Sequence, residues 1–97
     1  MAEQTNQRQI QVEAENQTLK GSYSNNVVVA HSKEEFVMDF MLIHPPKGIL
    51  SNRTIVSPGH FKRMVRAMQE NLKKYEDSFG AIEETKGPAN QEFGFKA

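Results

Sequence analysis

The sequence predicts an α+β domain: an antiparallel four-stranded meander followed by one long C-terminal amphipathic helix packed on one sheet face. Three observations predict it. Short alternating or β-branched segments, separated by turn residues, fill the first half of the chain. The stretch Ser57 to Gly80 carries the start and stop signals of a single helix. The chain has 97 residues, enough for one domain, so strands and helix must share one layer of apolar contact.

The polar residues 1–8 read as a disordered tail, residues 9–80 as the single domain, and residues 81–97 as a flexible C-terminal tail. Gln9 to Ala14 alternates around Ile10 and Val12, the pattern of a half-buried edge strand. Glu15 to Ser22 is a polar connection containing Gly21. Tyr23 to Ala30 is the second strand, and Val27, Val28 and Val29 place β-branched side chains on both of its faces. Ser32 and Glu35 have capping-box spacing without a helical pattern after them, so His31 to Glu35 reads as one tight turn or a brief helical turn.

Glu35 to Ile43 is the most apolar strand; a helix over Lys33 to Ile43 is the alternative, but the dense alternating aromatics and the flanking turn signals favour strand. Phe36, Met38, Phe40 and Leu42 line one face; Val37, Asp39, Met41 and Ile43 line the other, which argues for a central position. Pro45, Pro46, Lys47 and Gly48 make a turn, with Gly48 free to take a positive φ. Ile49 to Val56 is the fourth strand. A short hairpin can place Asp39 opposite Arg53, a register that sets Ile49, Ser51 and Ile55 beside Val37, Met41 and Ile43; the alternative has both charges pointing to solvent and never meeting.

The helix is specified at both ends. Ser57 is a good N-cap, and Pro58 suits the first helical position, where its missing N–H costs nothing. Val56 and Phe61 have the spacing of a hydrophobic staple. Phe61, Met64, Val65, Met68, Leu72, Tyr75 and Phe79 fall within an arc about 100° wide. Gly80 then suits a left-handed C-cap. On the polar side, Lys62, Arg63 and Arg66 lie in the first half while Glu76 and Asp77 lie at the end, against the helix dipole. An antiparallel helix from a second copy would set the basic half against the acidic end.

One helix covers one sheet face. Val37, Met41, Ile43, Ile49 and Ile55 are therefore the candidate oligomer interface, and the chain is expected to be a homodimer or higher oligomer.

Composition excludes several function classes. Twelve basic and twelve acidic residues cancel, against the footprint of a generic nucleic-acid binder. The absence of cysteine removes disulfides and thiolate metal sites. Residues 1–9 lack the apolar core of a signal peptide and no apolar run approaches a membrane span, so the expected location is cytoplasmic.

The set Tyr23-Ser24-Asn25 with Val27 and Val29, Glu35-Phe36 with Asp39-Phe40, Ser57-Pro58 leading into Phe61-Lys62-Arg63, then Glu70-Asn71, Lys74-Tyr75-Glu76 and Phe79-Gly80 resembles DUF3467, a family of short bacterial proteins of unknown function. The likeness covers Gly21 to Gly80, and the family implies no reaction or ligand to carry over. The order of strands then helix also resembles, at the level of fold alone, the export chaperone SecB.

Site chemistry is sparse. His31 and His44 end successive strands and lie at opposite ends of a hairpin, whereas His31, His60 and Glu34 can approach one another; two histidines and a carboxylate suit zinc, but nothing in their spacing requires it. No phosphate loop or nucleophile elbow is present, so no enzyme activity, cofactor or metal is expected. Phe93 and Phe95 read either as a short docking motif or as two aromatics on a frayed end. The function expected is a small non-enzymatic oligomeric protein-binding or scaffolding module, chaperone-like in one version. The alternative is a nucleic-acid-binding module using Lys62, Arg63, Arg66, Lys73 and Lys74.

Overall fold

A three-stranded antiparallel sheet in the order β1-β2-β3 forms the centre of the computed structural model, which describes residues 9–87 and 93–96. The elements run α1 (Asn16–Lys20), β1 (Asn26–His31), β2 (Phe36–His44), β3 (Lys47–Val56) and α2 (Pro58–Phe79). β2 is central, as its two apolar faces require. Met38 and Met41, one on each face, are the buried apolar residues among those described, at 4 % and 2 % exposure.

The predicted first strand is absent: three strands form among the described residues, not four. Ile10 and Val12 are 81 % and 85 % exposed, in irregular chain. Alternation makes a strand only where the apolar side finds a surface; two apolar residues among Gln and Glu gain too little burial to offset backbone ordering. The polar connection that follows instead contains the single helical turn α1, ended by Gly21 at φ 80°.

The turn between β1 and β2 closes on Ser32. Its backbone N–H donates to the Glu35 carbonyl, and its hydroxyl oxygen accepts from the N–H groups of Glu34 and Glu35 at 3.2 and 3.3 Å. Before β1, Asn25 extends the ladder with its side chain. Its Nδ2 donates to the Ile43 carbonyl at 2.9 Å, and its Oδ1 accepts from the Ile43 N–H at 2.8 Å. Ser24 Oγ lies 3.0 Å from the Met41 carbonyl as a donor. Together they fix the N-terminal end of β1 against the hairpin end of β2.

β2 and β3 pair from Phe36↔Val56 to Phe40↔Asn52, then shift by one residue to run from Met41↔Leu50 to His44↔Lys47. The extra residue is Ser51, a β-bulge. The expected register therefore holds only above it. Ile55 does face Val37, but Leu50 and Gly48, not Ser51 and Ile49, lie opposite Met41 and Ile43. The Pro45-Pro46 bond in the hairpin is cis. Gly48 sits within β3 and does not have a positive φ; its role is space, since a Cβ there would lie 2.6 Å from Ile43 Cδ1.

α2 occupies the predicted span. Ser57 Oγ accepts from the His60 N–H at 3.3 Å, Pro58 opens the first turn, and Gly80 at φ 96° donates its N–H to the Glu76 carbonyl at 2.9 Å. The helix is long, 22 residues or about 33 Å. It meets the sheet through its first turns. The Phe61 ring stacks on Phe36 at 4.0 Å with the planes 3° apart. Met64 and Val65 are half-buried, and no residue of α2 is buried. The expectation of a helix laid along the sheet is thus corrected: the apolar stripe touches the sheet at its beginning and then runs on into solvent.

Candidate interaction surfaces

Cross-strand partners share a face, so the register sorts the sheet into two surfaces. The helix-side face carries Val27 and Val29, Phe36, Met38, Phe40 and Leu42, then Ile49, Thr54 and Val56. The opposite face carries Val28 and Ala30, Val37, Asp39, Met41 and Ile43, then Leu50, Arg53 and Ile55. The bulge at Ser51 moves Ile49 to the helix side, so the five predicted interface residues do not form one patch. Met41 is buried, Val37 and Ile43 are half-buried, and Ile49 and Ile55 are 67 % and 53 % exposed on opposite faces.

Asp39 and Arg53 face each other directly across β2 and β3. Arg53 donates from Nε to Oδ1 at 2.7 Å and from its terminal nitrogen to Oδ2 at 2.9 Å, a two-point fork that occupies both carboxylate oxygens. These hydrogen bonds hold the Asp39 carboxyl below the usual carboxylate range, with burial working against them, and they raise the guanidinium in turn. Asp39 is the buried charged residue among those described. The pair closes the polar gap in an otherwise apolar face and, with both oxygens engaged, forms a structural latch.

The C-terminal residues 93–96 lie on this same face. Phe93 is half-buried, and with Phe95 it lines a groove of about 200 Å³ formed with Met41, Ile43, Pro45 and Leu50. The Arg53 guanidinium stands 5.3 Å from the Phe95 ring centre, within cation–π range. Phe93 and Phe95 therefore dock on the chain's own sheet. Residues 84–87 follow α2 back to the opening of β1, beside Val27 and Phe40. The expectation of a disordered tail over residues 1–8 lies outside the described residues.

A second open apolar surface is the distal half of α2. Met68, Leu72, Tyr75 and Phe79 are 55 %, 49 %, 50 % and 75 % exposed, and Tyr75 and Phe79 lean together at 4.9 Å between ring centres. Beside them Asn71 Nδ2 donates to the Ala67 carbonyl, and Lys73 pairs with Asp77 at 2.9 Å.

The histidines do not converge. His31 stacks near Phe36 at 5.4 Å, whereas His60 Nδ1 lies 3.1 Å from the Arg63 guanidinium. Among the described residues no three histidine or carboxylate side chains gather as a metal set. No helix among them is long and apolar enough to cross a membrane.

Sequence reasoning read the stripe and offered the latch as one of two alternatives, but missed Asn25 as a strand extender and Ser51 as a bulge. The expected strand began at Tyr23 and so placed Asn25 inside it, whereas β1 begins at Asn26; the bulge had no signal. No curated protein and no solved structure matches the chain, so nothing supports the likeness to SecB. The described fold and the residues that build it instead coincide with a family match over residues 1–84, and the chain belongs to that family, the protein family of unknown function DUF3467.

Proposed function

We propose that the chain is a self-associating, non-enzymatic protein-binding module whose first partner is a second copy of itself. The observation that carries this reading is a 22-residue amphipathic helix without a single buried residue. Amphipathic helices owe most of their stability to packing of the apolar face, and here that face is open over its distal half.

Exposure supports the same reading: Met68, Leu72, Tyr75 and Phe79 of α2 are 55 %, 49 %, 50 % and 75 % exposed on one stripe. Charge is complementary as well. An antiparallel pair of α2 helices sets Arg63 and Arg66 of one copy against Glu76 and Asp77 of the other.

Sedimentation velocity and small-angle scattering across the micromolar range test the proposal. The expected species is a dimer or higher oligomer. A single-chain species throughout would refute it. A scaffolding or chaperone-like role adds a client to the same open stripe and predicts slower aggregation of an unfolded test protein.

A further inference from the structure

We infer that the groove at the hairpin end of the sheet is a receptor for extended segments carrying two aromatic side chains two residues apart, and that the chain's own C-terminal Phe93-Gly94-Phe95 is its resident ligand. In an extended segment, residues two apart point to the same side. Phe93 and Phe95 both line the groove formed by Met41, Ile43, Pro45 and Leu50, with Gly94 between them. The site has an apolar part and a cationic part. Phe93 is half-buried, while Phe95 is 57 % exposed with the Arg53 guanidinium 5.3 Å from its ring.

Arg53 is held for this contact. Asp39 takes two of its nitrogens from the β2 side, which orients the guanidinium without neutralising its planar face. Met41 at the groove floor is 2 % exposed with the segment in place. The ladder supports the floor from beneath. Asn25 bonds both backbone groups of Ile43, and the missing Cβ at Gly48 leaves room for the Ile43 side chain. The partner that fits is thus a peptide in β conformation bearing Phe-x-Phe or a similar aromatic pair, able to displace the tethered segment. The inference does not depend on self-association: the groove lies on the face opposite the one α2 meets.

The test uses the full chain carrying Phe93→Ala and Phe95→Ala, and a fluorescent peptide with the sequence of residues 90–96. Anisotropy should show the peptide binding this variant. It should bind the wild-type chain more weakly, because a tethered segment competes at about 1 mM effective concentration; a peptide with a Kd of about 100 µM then appears about tenfold weaker. A peptide with alanine at both aromatic positions should bind neither. Lack of binding to the double variant, or equal binding to both chains, overturns the inference. An independent readout on the wild-type chain covers a variant that fails to fold: nuclear Overhauser contacts should join the Phe93 ring to the Met41 methyl, and their absence likewise overturns it.

Discussion

Leu72→Ala isolates the open stripe of α2. Leu72 is 49 % exposed in the single chain, so half of its burial remains to be gained on association. Complete burial of a leucine side chain is worth about 1.5–3 kcal/mol, and half of that is about 1 kcal/mol. A two-fold dimer presents the substitution twice, giving about 2 kcal/mol, or about 30-fold in Kd. Alanine is the better helix former, so loss of helix cannot imitate the effect, and circular dichroism should show helicity unchanged or slightly higher. Sedimentation of wild-type and variant chains across the micromolar range reads the shift directly. Ile10→Ala is the control, because Ile10 is 81 % exposed and belongs to no element. An unchanged Kd for Leu72→Ala would show that the stripe is not where copies meet.

Three further outcomes follow from packing and charge. Met41→Ala removes a residue that is 2 % exposed and should cost about 2–5 kcal/mol in urea unfolding, whereas Ile10→Ala should leave the midpoint in place. Asn25→Ala removes the two-point bond to the Ile43 backbone; the loss should be about 1 kcal/mol, with faster amide exchange at Ile43. The folded-state pKa of Asp39 is depressed, so the latch contributes its full stability above the unfolded carboxylate pKa of about 3.9 and loses it as pH falls through the lower folded value. Urea midpoints measured downward from pH 5 should therefore fall more steeply for wild type than for Asp39→Asn; parallel curves would show that the latch is not coupled to folding.

The parts of the fold that could be read from the sequence were those with local signals. Ser57, Pro58 and Gly80 each act within a few bonds of themselves, and the bounds of α2 follow from them. The pairing of Asp39 with Arg53 was legible because a short hairpin leaves few registers and a lone acid on an apolar face needs a partner. What failed depended on distant surfaces. Ile10 and Val12 have the alternation of a strand, but nothing in their own segment says whether a sheet edge will receive them. The direction in which α2 leaves the sheet likewise depends on what its stripe is to meet, and the stripe itself is silent on that. For the candidate groove, the sequence supplied Phe93 and Phe95 as either a docking motif or a frayed end, and the floor beneath them decided between the two.

Ser51 sets the parity of the sheet's last strand. Residues on its two sides obey opposite odd–even rules, so Leu50 pairs with Met41 and Ile49 with Leu42, and both line the groove at the hairpin end. Replacing this serine with another small polar residue leaves that arithmetic intact, and deleting it would restore unbroken alternation with Leu50 still opposite Met41. What the extra residue supplies is a local bend and added twist in β3, not the choice of Leu50 as a groove residue.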